Sequence, residues 1–175
     1  VSVSIITLTT DFGTGSPYVA AMKGVILSIN PAATIVDITH AVPPQDIRQG
    51  AVVLEGVAER FPDGTIHVVV VDPGVGTERA IVYARIGEHH FVAPDNGVLS
   101  RMVDRTPPSE VIRLENDEYW LDEVSSTFHG RDIMAPVAAH LSLGVEPQRL
   151  GPAYGELGQL RWPSAVRRRN RVEGV

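Results

Sequence analysis

Four consecutive valines, Val68-Val69-Val70-Val71, constrain what this chain can fold into more than any other stretch. β-branched residues favour extended backbone. A half-buried strand would alternate apolar with polar residues. This run does not alternate, so both faces of its strand lie in apolar surroundings, as in a parallel sheet covered by helices. The neighbouring sequence agrees. Ser4 to Thr10 and Thr34 to Ile38 read as strands. Between them Ser16 caps a helix and Pro17 opens it; Val19, Met22, Ile26 and Ile29 recur at helical spacing, and Asn30-Pro31 stops it. A second helix is predicted from about Asp46 to Phe61, with Ile47, Ala51, Leu54, Ala58 and Phe61 on one face. Ala80 to Ile86 and His90 to Ala93 read as strands around a Gly87-Glu88 turn. Asn96 to Val103 reads as a short helix, and Glu110 to Leu114 with Glu118 to Leu121 as a hairpin. Gly130 to Leu143 is a last helix, kinked or started by Pro136 and ended by Gly144. Strands alternate with helices, so the fold class is α/β: a largely parallel central sheet flanked by helices on both faces. A boundary is expected near Gly151-Pro152, giving an α/β unit over 1–152 and a linker over 153–175.

A chain of 175 residues, 43% hydrophobic and 21% charged, has the composition of a soluble globular protein and room for one domain. It has no cysteine, which excludes disulfides, thiolate nucleophiles and iron–sulfur clusters. The net charge of −6 is unevenly spread. Residues 1–160 carry 10 Lys and Arg against 20 Asp and Glu, whereas residues 161–175 carry Arg161, Arg167, Arg168, Arg169 and Arg171 against Glu173. An acidic body argues against a nucleic-acid partner. The basic tail reads as a linker or a cut end rather than a binding arm. No apolar run approaches a membrane span, and the first residues lack the pattern of a signal peptide, so a cytoplasmic location is expected.

Three strands end alike: Thr9-Thr10-Asp11-Phe12-Gly13, Val70-Val71-Asp72-Pro73-Gly74 and Val92-Ala93-Pro94-Asp95-Asn96-Gly97. Parallel strands share their carboxyl edge, where open α/β folds bind ligands. Asp-Gly and Asn-Gly also form ordinary turns, but three at one edge favour a site. Nucleotide motifs are weak: Gly13-Thr14-Gly15 and Gly74-Val75-Gly76 lack a third glycine, and there is no phosphate-loop lysine. Metal spacing is poor, and no Gly-x-Ser-x-Gly elbow occurs. His129, in a loop before a helix, suits an acid or base. His40 reads more simply as a hydrogen-bonded loop histidine, and His67 and His140 as structural.

The ordered set Thr9-Thr10-Asp11-Phe12-Gly13, Tyr18-Val19, Met22-Lys23-Gly24-Val25-Ile26, Asp72-Pro73-Gly74-Val75-Gly76-Thr77 with Arg79, Ala93-Pro94-Asp95-Asn96-Gly97 and Thr127-Phe128-His129-Gly130-Arg131-Asp132-Ile133 resembles the S-adenosyl-L-methionine hydroxide adenosyltransferases, relatives of the fluorinase and chlorinase. The likeness runs from about Ile5 to Pro152. It implies cleavage of S-adenosyl-L-methionine (SAM) at C5′ by activated water, giving adenosine and L-methionine. It implies Asp72, Arg79 and His129 as the water-handling set, Asp11 on the ribose, and Asp95 and Asn96 near the substrate without an assigned contact. Ser16 stands where the family pattern usually has an Asp associated with the methionine end. The resemblance further implies no metal, no cofactor apart from SAM as substrate, and a homotrimer whose sites are completed by a neighbour's C-terminal β-barrel. Arg171-Val172-Glu173-Gly174-Val175 looks like the start of that barrel. The rival expectations are a SAM-dependent halogenase, a non-catalytic adenosine- or SAM-binding or oligomerisation domain, and, distantly, a metal-dependent phosphohydrolase.

Overall fold

A computed structural model describes residues 4–163, 166–169 and 171–173. Val68, Val69 and Val70 lie in strand β3 (Ile66–Val70), with Val71 just beyond it, in the middle of a six-stranded sheet of order β2-β1-β3-β5-β4-β6. The others are β1 (Ile5–Thr10), β2 (Thr34–Thr39), β4 (Ile81–Ile86), β5 (His89–Pro94) and β6 (Pro108–Arg113). Alternate β3 side chains point to opposite faces. Val68 and Val70 join one apolar cluster and Val69 the other, and each is buried. Burying such a side chain is worth about 1.5–3 kcal/mol, so a core on both faces holds β3 in place.

Helices α1 (Pro17–Ile29) and α4 (Ala135–Ser142) cover the first face, and α2 (Ile47–Val57) and α3 (Ser100–Arg105) the second. Ser16 caps α1, its Oγ accepting the Tyr18 N–H at 3.3 Å, and Asn30 ends it. Asp46 caps α2 by accepting from Gln49 N–H at 2.9 Å. Strands β1, β2, β3 and β5 are parallel, whereas β4 runs against both β5 and β6. The sheet is therefore mixed and mostly parallel. No described helix is long and apolar enough to cross a membrane.

Three elements differ from expectation. The helix expected at Asn96 begins at Ser100, because Asn96 Oδ1 takes the Val98 N–H and Gly97 has φ +93°. That local turn consumes four residues that would otherwise start a helix. Glu118 to Leu121 is not a strand. Asn116 Oδ1 accepts from Glu118 N–H and caps a 3₁₀ turn over Asp117–Tyr119, while β6 pairs with β4 instead. The last helix opens as a π-helical turn over Gly130–Met134, with Ala135 N–H reaching Gly130 O. Pro136 has no N–H, so the Asp132 carbonyl lacks its helical donor; Leu121 N–H supplies one at 2.9 Å.

Past Gly151 the chain stays on the body. Tyr154 N–H bonds Val111 O at 2.8 Å and Leu157 is buried in the second cluster. Val166–Arg168 and Arg171–Glu173 form an antiparallel pair, β7 and β8. Of the stretch expected to begin a barrel, residues 174–175 lie outside the described residues.

Candidate active site

The strand order reverses between β1 and β3: from β1 the chain crosses to β2 on one side, then returns to β3 on the other. Ligands of open α/β sheets bind at such a switch point, outside the carboxyl ends of the strands. Asp11 leaves β1 there and Asp72 follows β3.

Beyond Asp72 the chain turns back sharply, with Val75 N–H bonded to Asp72 O and Thr77 Oγ1–H to Gly74 O. Gly76 has φ +78°, and a Cβ there would stand 2.5 Å from the Ser126 carbonyl. Only glycine lets this loop touch the 124–128 loop so closely. The turn folds Arg79 back over Asp72. Its Nε donates to Asp72 Oδ2 at 2.8 Å and Oδ1 at 3.0 Å, and its Nη2 donates to Oδ2 at 2.5 Å. The same Nη2 stands 2.9 Å from His129 Nδ1. The Asp72 and Arg79 side chains are only 4% and 10% exposed, so removing either would strand a nearly buried charge.

A guanidinium has donors and no acceptor. The His129 nitrogen facing it must therefore be the lone-pair nitrogen, and Nε2 carries the ring proton. Burial pushes the His129 pKa below its ordinary 6.5, and the Arg79 charge pushes the same way; Asp72, Asp132 and the Ser125 backbone oppose them. The neutral ring is the favoured form.

Asp72 and His129 face a cavity of about 50 Å³, lined also by Asp11, Phe12, Val70, Val75, Thr127 and Gly130. It can hold water, which needs only about 10–15 Å³ measured this way, but it is far below the ~300 Å³ of a small-molecule pocket. Asp11 Oδ2 accepts from the Gln45 N–H at 2.7 Å. Asp72, Arg79, His129 and Asp11 are thus brought together.

Ser16 stands at the start of α1, its hydroxyl engaged as the cap. Beside it Tyr18, 40% exposed, stacks on Phe128 with ring centroids 4.4 Å apart, and Phe12 meets Tyr18 edge-on. Asp95 and Asn96 do not line the cavity. Asp95 accepts from Tyr154 O–H at 3.0 Å and Gly158 N–H at 2.7 Å, and Asn96 Nδ2 donates to Val71 O at 2.9 Å.

Sequence reasoning missed Asp132. It is fully buried, accepts from Ser125 N–H at 2.8 Å and pairs with Arg131. It fixes the loop that delivers His129. A carboxylate inside an apolar helical pattern was the available signal. Val75 and Thr127, which line the cavity, were visible only as loop residues. A wider hollow between α2 and α3 is lined by Glu55, Glu59, Arg60 and Arg105, but Glu55 is paired with Arg101 and Glu59 with Arg105. The chemistry lies at the smaller cavity, where groups of several kinds converge.

Comparison with known proteins places the chain in a family. The profile of the SAM hydroxide adenosyltransferase N-terminal domain matches residues 6–151. An (R)-S-adenosyl-L-methionine hydrolase of Salinispora arenicola is 41% identical over 92% of this chain. A fluorinase of Actinoplanes sp. is 29% identical over 87% of it. The chain spans 62% of that hydrolase and 59% of that fluorinase. The crystal structure of an uncharacterized conserved protein from Thermotoga maritima superposes with a TM-score of 0.91 at 41% identity, over 95% of this chain and 64% of that one. The chain belongs to the SAM hydroxide adenosyltransferase N-terminal domain family.

Proposed function

We propose that this chain is the N-terminal catalytic part of an enzyme that hydrolyses (R)-S-adenosyl-L-methionine to adenosine and L-methionine. The observation that carries the reading is the hydrogen-bonded set Asp72–Arg79–His129 on a water-sized cavity at the β1/β3 switch point. The greater likeness to the hydrolase than to the fluorinase supports hydrolysis over halide transfer.

The sulfonium is a good leaving group. The C5′–S electron pair departs with sulfur and leaves the neutral thioether of methionine. The nucleophile is the difficulty, because water attacks poorly until a base acts on it. Water oxygen forms the new bond to C5′, and its proton passes to a spare lone pair of Asp72. Arg79 holds that carboxylate in place. His129 Nδ1 already accepts from Arg79, so its part is to fix the guanidinium and offer Nε2–H as a donor. In-line placement of water, C5′ and sulfur supplies much of the remaining acceleration. Asp11 accepts from the ribose hydroxyls and Ser16 stands toward the methionine end, while Asp95 and Asn96 hold the chain near the site without touching substrate.

The cavity is too small for the adenosyl group, which favours a site completed by other surfaces. We place those in a C-terminal β-barrel of a neighbouring subunit, in a cytoplasmic homotrimer, with residues 1–152 as the α/β unit and 153–175 leading toward the barrel. The reaction needs no metal in this scheme, so turnover should persist in chelator.

The full-length protein, given SAM in ¹⁸O-water, should place the label in the 5′-hydroxyl of adenosine. Asp72→Asn and His129→Ala should each lower turnover by about 10²-fold or more, the usual worth of a positioned proton acceptor or its support. Undiminished turnover in both variants, or a 5′-halogenated nucleoside as product, would overturn the proposal.

A further inference from the structure

We propose that His40, outside the catalytic set, is the positioning residue for Asp11, and through it for the ribose. The inference rests on the reading of Asp11 as the ribose carboxylate. His40 follows β2, one strand away from Asp11, yet three bonds tie the two loops. His40 Nδ1 stands 3.0 Å from Thr10 Oγ1, the His40 carbonyl accepts from Gly13 N–H at 2.7 Å, and Gln45 N–H donates to Asp11 Oδ2 at 2.7 Å.

Lys23 Nζ donates to Asp37 Oδ2 at 2.6 Å, and Asp37 Oδ1 lies 3.0 Å from His40 Nε2, an electrostatic contact without hydrogen-bond geometry. Thr10 Oγ1 shares a proton with His40 Nδ1 and accepts from Phe12 N–H at 3.3 Å. The chain of contacts Lys23–Asp37–His40–Thr10 thus ends on the backbone at either side of Asp11. Gln45 supports the same conclusion. It is the one non-glycine residue with positive φ among those described, +66°, and that strained conformation aims its N–H at Asp11. The bond fixes one carboxylate oxygen; the other has no hydrogen-bond partner among the described residues and is left for a ligand hydroxyl.

The test compares His40→Ala, His40→Asn and Thr10→Val in the full chain. Asn keeps an oxygen near the Nδ1 position, and Val keeps the shape of Thr in a buried site. Adenosine and 2′,3′-dideoxyadenosine are the calorimetric probes. His40→Ala and Thr10→Val should weaken adenosine roughly five- to tenfold, about one hydrogen bond, and leave the dideoxy compound unchanged. His40→Asn should recover most of the loss, and His40→Ala should add nothing in an Asp11→Asn background. Equal losses for both nucleosides, or additive losses with Asp11→Asn, would overturn the proposal. Amide exchange without ligand separates the two layers: protection of Gly13 and Gln45 should fall in His40→Ala and Thr10→Val and return in His40→Asn. If Asp11→Asn weakens both nucleosides alike, the ribose reading of Asp11 fails, and the exchange result alone decides whether His40 positions it; unchanged protection there ends the proposal.

Discussion

At the scale of single residues, Arg79 dictates what its neighbours can do. It presents donors to His129 and to both Asp72 oxygens, so the imidazole must be neutral with its lone pair toward the guanidinium. Protonating His129 would set a second cation against Arg79 and break that bond. Burial and Arg79 lower the His129 pKa below 6.5, so the ring stays neutral at and above that pH and titrates only on further acidification. The acid limb of kcat/KM should accordingly lie below pH 6.5. In His129→Asn, which offers an acceptor oxygen and does not titrate, the limb should flatten while part of the activity remains. A limb centred above 6.5, or one that persists unchanged in the variant, would remove His129 from this role. Asp72 and His129 stand out at a strand end and before a helix, each with a glycine within two residues, whereas Arg79 entered only through the family resemblance. Their mutual bonding was not legible, since it depends on a turn that folds Arg79 back across Gly74. Asp132 escaped for a related reason, and His40, expected as a hydrogen-bonded loop histidine, is one. Their partners, Ser125 and Thr10, are recognisable only after the loops have closed.

At the scale of elements, the π-helical turn at Gly130–Met134 is what carries His129 to β3. Gly130 sits against the sheet: a Cβ there would approach Val70 Cγ1 to 3.0 Å and the Met22 sulfur to 3.4 Å. Its φ is not in the left-handed region, so close approach alone explains the glycine. Gly130→Ala should overpack this contact and cost about 1–3 kcal/mol in chemical denaturation. The loss of turnover should exceed what the unfolded fraction explains, because the turn must move away from β3 and take His129 with it. Stability and activity both at wild-type level would show that Val70 and Met22 give way freely. Sequence foretold the start of α1 from Ser16-Pro17 and its stop from Asn30-Pro31, since caps and proline act locally. It misread Glu118 to Leu121 because Tyr119, Trp120 and Leu121 are aromatic and apolar residues that suit a strand. The deciding bonds, Asn116 to Glu118 and Leu121 to Asp132, join groups that such propensity does not weigh.

At the scale of the whole molecule, the segment after Pro152 and the histidines at the amino edge of the sheet bear on stability rather than chemistry. Asp95 takes Tyr154 O–H and Gly158 N–H, while Leu160 N–H reaches Ser100 Oγ at 2.9 Å. The segment thereby straps β6 to the carboxyl end of β5. Tyr154→Phe should cost about 1 kcal/mol of stability and leave nucleoside affinity unchanged; weaker nucleoside binding would instead return Asp95 to the substrate. At the opposite edge His67 is fully buried, stacked on Phe91, with Nδ1 2.7 Å from Thr7 Oγ1 and Nε2 3.3 Å from His89 Nδ1. Burial, with lesser contributions from His89 and His90, lowers its pKa to about 3. The unfolded chain binds this proton near pH 6.5 and the folded chain does not until about pH 3. Stability must then fall as pH drops through that window, by at most about 1.4 kcal/mol per unit from this residue. His90, His129 and His140, also lowered by burial, add smaller losses of the same sign. In His67→Phe the ring keeps its stack but Thr7 and His89 lose a partner, so the variant should be less stable at neutral pH by about 1–3 kcal/mol. Its slope with acid should be shallower, because one titrating group is gone. The two stability curves should converge on acidification and can cross before pH 3. Denaturant unfolding of both proteins at neutral pH and at two acid values measures this directly, and parallel curves would mean that His67 titrates alike in the folded and the unfolded chain.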